Sequence, residues 1–177
     1  MGDVPSTFGA PDRLRAAVQN AEPALRAIPP AVAIYQAAPD VWSIAELLGH
    51  LVDSASNNHQ RFVRAPWQYD LVFPGYAQRD WVAAQRYAQA DWPDLITLWA
   101  SFNRHLAHVM EATPAEVRAR VHTQHNLQAI AFRAPAAASD VTLAYFMTDY
   151  VAHLEHHLQQ IFAVDGRLAA ARVALAV

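Results

Sequence analysis

The chain has 177 residues, of which 54% are hydrophobic, and this length and composition suffice to bury the core of one domain. It contains no cysteine, and its thirteen basic residues are all arginine, so disulfides, thiolate metal ligands, Schiff-base lysines and P-loop lysines are excluded. The formal net charge of −3 and the absence of an Arg-rich run argue against nucleic acid as the main partner.

Helical periodicity dominates the chain, and four main helices are predicted. The first spans residues 11 to 28 and contains Pro23, which predicts a kink in its middle. The second spans residues 43 to 64. Ser43 and Glu46 form a capping-box pattern, which fixes where this second helix begins.

The third helical region spans residues 78 to 111, but Trp92 followed by Pro93 interrupts its pattern. We therefore expect two segments that meet at Asp91. About 27 residues, 112 to 138, then lead to the last helix. Because this connection is longer than is usual in helical bundles, we expect it to line a site or to pack as a short hairpin.

The fourth helix is predicted over residues 140 to 164, with Ser139 or Asp140 as its cap. Asp165 and Gly166 are expected to end it. The Ala-rich tail beyond this point is expected to form a short extra helix or a subunit contact. Its last five residues, VALAV, favour packing over exposure to solvent.

Three histidines are candidate metal ligands. His153 and His157 lie four residues apart in the fourth predicted helix, so their rings leave one face about 6 Å apart along the axis. His50 lies in an apolar stretch of the second helix, where an unpaired imidazole would be costly to bury. Three imidazoles from two packed helices form an open metal site. Histidines at this spacing also occur at caps and surfaces, so the spacing alone leaves a structural role open.

Two carboxylates lie close enough in sequence to the candidate ligands to orient an imidazole or to bind the metal. Asp149 precedes His153 by four residues, and Asp53 follows His50 by three. We expect each carboxylate either to accept a hydrogen bond from an imidazole and so orient it, or to bind the metal directly. For Asp53, a solvated helix face is the alternative.

These residues resemble the DinB-like four-helix proteins and, among them, the YfiT type of metal-dependent enzymes. The resemblance rests on VWSIAELLGHLVDSASNNHQRF, YAQRDW and YVAHLEHHLQQI, and it covers most of residues 25 to 164. It implies an all-α fold, an antiparallel four-helix bundle with a long connection before the last helix, as one domain over residues 1–177. Carried over residue by residue, the family's metal ligands are His50, His153 and His157, and its polar pocket positions are Ser54, Asn57 and Arg61.

The chain departs from the family pattern at two positions. Asp149 stands where an apolar residue is usual, and Gln160 where a third histidine often follows the pair. The long connection also contains His122 and His125, either of which can correspond to a histidine of the family's loop. For His125, a solvated turn is the alternative.

The resemblance implies one divalent metal ion as cofactor. Zinc or nickel is expected first, with iron, copper or manganese as alternatives, because imidazole suits several of these metals. The implied activity is transfer of a low-molecular-weight thiol, such as bacillithiol or mycothiol, to an electrophile, or a related isomerisation or hydrolysis. A forked pair of hydrogen bonds from Arg61 can hold a carboxylate of the cosubstrate.

The alternative is a metal-binding bundle without catalysis, acting in stress response through a partner or as a structural protein. A di-iron carboxylate bundle is excluded because neither key helix has a Glu-x-x-His repeat. The resemblance favours a homodimer that takes a small thiol and an electrophile. We expect a cytoplasmic protein without a membrane partner, since no apolar run reaches about eighteen residues and no signal pattern opens the chain.

Overall fold

The computed structural model describes residues 8–136 and 139–175, and side chains as far as residue 166. The helices are α1 (Ala10–Ala27), α2 (Pro30–Ala33), α3 (Ile44–Arg64), α4 (Gln78–Gln85), α5 (Trp92–Ala112), α6 (Ala115–Ala119), α7 (Leu127–Ile130) and α8 (Leu143–Leu175). Two short strands, β1 (Val121–His122) and β2 (Val141–Thr142), and two 3-10 turns, Ala65–Trp67 and Tyr87–Gln89, complete these elements.

The four long helices α1, α3, α5 and α8 form a bundle. Both α1 and α3 pack against α5 and α8, so α1 lies diagonally across the bundle from α3. Helices α3 and α8 are antiparallel, because Phe62 near the end of α3 packs on Phe146 near the start of α8, while His50 meets His157. The predicted all-α four-helix bundle is confirmed. In the described residues, no helix is both long and apolar enough to cross a bilayer.

The bundle core follows the helical spacing of apolar residues. The face of α1 that meets α5 and α8 carries Leu14, Val18 and Leu25, all at most 1% exposed. Trp99 of α5 is fully buried among them. Burying a large apolar side chain contributes about 1.5–3 kcal/mol, so this face rather than helix propensity holds α1 in place.

The start of α3 is the predicted one. The Ser43 hydroxyl accepts a hydrogen bond from the Glu46 backbone N–H, and the Glu46 carboxylate accepts one from the Ser43 N–H. Because both bonds of the capping box form, the helix begins at Ile44 and its register is set. The position of His50 within α3 follows directly from this cap.

The predicted interruption before Pro93 is also confirmed, although the break is longer than expected. Helix α4 ends at Gln85, where Arg86 adopts a left-handed conformation with φ 49°. Helix α5 then begins after Asp91, whose carboxylate accepts a hydrogen bond from the Asp94 N–H. The two segments are therefore separated by a turn rather than meeting at one residue.

The predicted cap of the last helix was wrong. Neither Ser139 nor Asp140 caps it. Thr142 lies immediately before α8, and its hydroxyl accepts the hydrogen bond of the Tyr145 N–H at 3.1 Å. The chain just before α8 is extended because β2 pairs antiparallel with β1, Val141 lying opposite His122.

The predicted end of this helix was also wrong, because α8 continues through Asp165 and Gly166 to Leu175. Gly166 keeps a negative φ. A helical glycine costs only about 1 kcal/mol relative to alanine, and the Ala-rich sequence that follows favours helix. The tail therefore extends α8 instead of forming a separate helix. The expected packing of VALAV and the expected subunit contact concern residues whose side chains lie outside the described part of the chain.

The long connection between α5 and α8 is anchored to the chain that follows α3. Asn126 is the main anchor: its side chain accepts a hydrogen bond from the Phe73 N–H and donates one to the Phe73 carbonyl. Leu71 adds two backbone hydrogen bonds to the same region. This pairing holds the connection, including α7, beside the open end of the site described next.

Candidate metal centre

The structure brings His50, His153 and His157 together. The Nε2 atom of His153 lies 3.3 Å from Nε2 of His50 and 3.0 Å from Nε2 of His157. One ligand atom from each of the three rings lies within 4.8 Å of the others. An ion about 2.1 Å from two nitrogens separates them by about 3.0 to 3.4 Å at right or tetrahedral angles. Two of the three nitrogen pairs therefore have the separation of ligands on one ion, and the three rings form a group that could hold a metal.

Burial keeps these imidazoles neutral. Desolvation lowers the pKa of His50 to about 4 and that of His153 to about 3, and it lowers the pKa of His157 as well. The neighbouring histidines act in the same direction, since each would repel a second positive charge. At neutral pH each ring therefore offers a lone pair, which is the form that binds metal.

Two side chains outside the cluster fix the ring orientations. The Nδ1 of His157 lies 2.8 Å from Oε1 of Gln160, so this ring donates its proton to the amide oxygen. The Nδ1 of His153 lies 3.3 Å from the hydroxyl of Ser54. The amide oxygen can only accept, so it places a proton on Nδ1 of His157, and the hydroxyl can accept the same proton from His153; Nε2 of each ring then faces the other rings. Gln160 was expected only as a departure from the family pattern, although its spacing of three residues from His157 is compatible with a contact between the two side chains.

Asp53 does not have the position expected of it. Its Oδ1 accepts hydrogen bonds from the Tyr87 hydroxyl at 2.7 Å and from the Gln85 amide. Among the described residues, it makes no hydrogen bond to an imidazole. Burial raises the pKa of Asp53, and the two hydrogen bonds oppose that rise. The carboxylate thus ties α3 to the turn between α4 and α5, because that turn packs directly over this face of the helix.

Asp149 likewise turns away from the three rings. Its two oxygens accept the backbone N–H groups of Phe132 and Arg133, at 2.8 and 2.7 Å. No hydrogen bond joins it to a histidine of the cluster in the part of the chain that is described. Its role is to hold residues 132 and 133 against α8. The ring of Phe132 consequently lies 5.4 Å from that of His153.

A cavity of about 390 Å³ opens beside the cluster. Of the three predicted pocket residues, Ser54 and Arg61 line it and Asn57 does not. The Asn57 amide instead donates to the backbone carbonyl of Asp53, and the next residue, Asn58, lines the cavity. Positions 57 and 58 lie three and four residues after Ser54, so helical spacing alone could not choose between them.

His122 and His125 lie apart from the cluster. The Nδ1 of His122 contacts the carbonyl of Tyr69 at 2.8 Å. The Nε2 of His125 contacts the carbonyl of Ser139 at 2.9 Å, and its Nδ1 accepts the N–H of Leu127. Both rings therefore stabilise the long connection. Neither belongs to the group that can hold a metal.

Tyr76 also lines the cavity, and it was not among the site residues predicted from the sequence. Its ring is stacked near His50, with 6.5 Å between the ring centroids. Burial raises the pKa of Tyr76 to about 12, so the phenol stays protonated at neutral pH. It can therefore donate a hydrogen bond to an oxygen in the cavity. The YAQRDW motif contains this residue, but nothing in the sequence separated it from the other aromatic residues.

A family model described as the DinB superfamily matches residues 13–161. This match spans most of the chain, including all three histidines. The chain belongs to the DinB superfamily. The resemblance inferred from the sequence is confirmed.

One solved structure similar to this DinB-superfamily protein is YfiT from Bacillus subtilis, described as a probable metal-dependent hydrolase with an unusual four-helix bundle topology. The TM-score is 0.74 at 15% sequence identity, and the match covers 96% of this chain and 91% of the YfiT chain. At this identity the likeness shows the fold alone. No curated protein matches the chain.

Proposed function

We propose that this DinB-superfamily protein is a metal-dependent enzyme that activates a low-molecular-weight thiol or water for attack on an electrophile. The observation that carries this proposal is the convergence of three neutral imidazoles at the wall of a cavity. Within the described residues, no fourth histidine or carboxylate joins them. Structural metal sites are usually closed by four protein ligands, whereas catalytic sites keep a position open.

The bound ion would supply Lewis-acid chemistry, lowering the pKa of a thiol or water and polarising an electrophile. The residues of the chain support this chemistry in separate ways. The three uncharged ligand rings leave the positive charge of an ion uncancelled. Gln160 and Ser54 hold two of the rings in orientation. The protonated phenol of Tyr76 can donate to an oxygen that becomes negative during the reaction.

An all-imidazole ligand set favours zinc or nickel, with iron, copper or manganese as alternatives. The chain contains no cysteine, so a reacting thiol has to come from a cosubstrate. Low-molecular-weight thiols of the bacillithiol or mycothiol kind are the proposed cosubstrates. Hydrolysis is the second candidate activity, because water can occupy the same open position as a thiol.

The decisive experiment strips the protein of metal, reloads it with one defined ion at a time and measures turnover. The panel contains physiological thiols with electrophiles, and esters and amides for hydrolysis. Turnover above the rate of the free ion is expected with at least one ion. His157→Ala is expected to lose the bound ion and the activity together. The matched control is His108→Ala, which removes an exposed histidine of α5.

Metal content separates the possible outcomes. If the protein binds one ion tightly and shows no turnover across the panel, the bundle is a metal-binding protein without catalysis. If His157→Ala keeps its full metal content by elemental analysis, the three-histidine site itself is refuted. Loss of metal in His108→Ala would point to general destabilisation instead of ligand loss.

A further inference from the structure

Arg61 is a buried cation without a carboxylate partner. It lies on α3 and is only 5% exposed, yet none of the ion pairs among the described residues involves it. Burial lowers the pKa of Arg61, and among the described residues only the Tyr76 phenol opposes this effect. An unpaired buried charge is costly, so such a residue is usually compensated by a ligand or a partner.

The guanidinium is held in place and has free donors. Its Nη1 donates to the side-chain oxygen of Asn58 at 3.3 Å, and its Nη2 donates to the carbonyl of Pro74 at 2.9 Å. The plane also lies near the ring of Phe146, 5.8 Å from its centroid. An arginine side chain has five N–H donors, so these two bonds leave three for another acceptor. Because two anchors orient the fork, binding a ligand costs little further ordering.

The other charged groups of the cavity do not compete with Arg61 for a ligand. Among the described residues that line the cavity, Arg61 is the only arginine and Asp149 the only carboxylate. The Asp149 carboxylate already accepts two backbone N–H groups. A single guanidinium matches a single negative charge better than the two charges of a phosphate, which usually binds several donors.

We infer that the cavity takes a small molecule bearing a carboxylate, which Arg61 binds while the reacting group of the same molecule lies at the three histidines. This inference rests on the proposed function, because it names the class of molecule that the same site accepts. It assigns Asn58 the role of a positioning residue, since its contact with Arg61 orients the guanidinium.

The test uses the full-length protein loaded with cobalt and two matched series of ligands, ω-mercaptoalkanoates and the uncharged ω-mercaptoalkanols. The absorption spectrum of cobalt reports whether the thiol reaches the ion, and calorimetry gives the affinity. The best acid is expected to bind at least about tenfold more tightly than its alcohol, since hydrogen bonds between charged groups are the strong ones. In Arg61→Met this preference is expected to disappear, while the cobalt spectrum still responds to both thiols.

Arg64→Met is the matched control, because it removes an exposed arginine three residues later on the same helix. It is expected to keep the preference for the acid. An acid and an alcohol that bind equally well to the unmutated protein would overturn the inference, even if Arg61→Met failed to fold. In that case the thiol response of the cobalt spectrum would leave the proposed function standing. Absence of any thiol response in the unmutated protein would overturn the inference, because the thiol would not lie at the three histidines, and it would leave hydrolysis as the remaining form of the proposed function.

Discussion

The rings of the three candidate metal ligands depend on single side chains for the position of their protons. A histidine can bind an ion through Nε2 only if its proton is on Nδ1, and an acceptor beside Nδ1 stabilises that form. Gln160 provides this acceptor for His157, and the Ser54 hydroxyl lies beside Nδ1 of His153. The Nδ1 of His50 is buried without a partner among the described residues. Two of the three candidate ligand rings are therefore oriented by a neighbouring side chain, and the ring of His50 is not.

Gln160→Leu tests this dependence at the residue scale. The substitution removes the acceptor for His157 Nδ1–H, so the metal dissociation constant is expected to rise about tenfold or more, as for other outer partners of metal ligands. Competition with a chromophoric chelator measures it. Gln159→Leu, at the exposed neighbouring position, is the control and should leave the constant unchanged. Equal affinities for the two variants would contradict the assigned role of Gln160.

Helix α3 combines two different contacts on its two sides. Its His50 meets α8, while Gly49 allows the ring of Tyr87 to lie directly on the helix backbone. A Cβ atom at residue 49 would overlap that ring. The close approach lets the Tyr87 hydroxyl reach Asp53, one turn further along α3. Helix α3, which carries the candidate ligand His50, is thus also held in place on the side that faces Tyr87.

Gly49→Ala is therefore expected to destabilise the protein, in contrast to the usual effect of replacing a helical glycine by alanine. The added methyl group forces Tyr87 away from α3, and overpacking of this kind costs about 1–3 kcal/mol. Urea unfolding monitored by circular dichroism measures the change in the free energy of unfolding. Gly166→Ala is the control, because nothing lies within 4 Å of a Cβ there. A stabilising effect of Gly49→Ala would show that the contact with Tyr87 is not close.

The whole bundle determines how the histidines titrate. Packing of α3 against α8 buries His50 fully and His153 in part, and this desolvation lowers the pKa of both rings below the ordinary 6.5. Below pH 6.5 the unfolded chain protonates these residues while the folded, metal-free chain does not. The unfolded state then binds more protons, so the free energy of unfolding falls as the pH falls. The loss ends only near pH 4 for His50 and pH 3 for His153.

The metal-free protein is accordingly expected to lose stability between pH 6.5 and pH 5, a range in which few carboxylates titrate. Urea unfolding in the presence of a chelator measures the slope of stability against pH. His50→Leu removes one of the responsible groups, so its slope should be shallower by about 1 kcal/mol per pH unit. His108→Leu, at an exposed position, should keep the slope of the unmutated protein. An unchanged slope in His50→Leu would contradict the buried, neutral state of His50.

Local sequence determined much of the architecture. The capping box at Ser43 and Glu46 placed the start of α3, and Asp91 with Pro93 placed the start of α5, because caps act over three or four residues. The spacing of His153 and His157 likewise placed both rings on one face of α8. The predicted end of that helix at Gly166 was wrong, since a glycine only weakens a helix and the following alanines restore it.

The tertiary structure decided what the helices meet. It brought His50 to the pair on α8, chose Asn58 over Asn57 for the cavity, and turned Asp53 and Asp149 toward partners in distant segments. A periodic pattern gives the face of a helix but not the neighbour of that face. Which buried polar group finds which partner therefore depends on packing between elements far apart in the chain, and local spacing does not encode it.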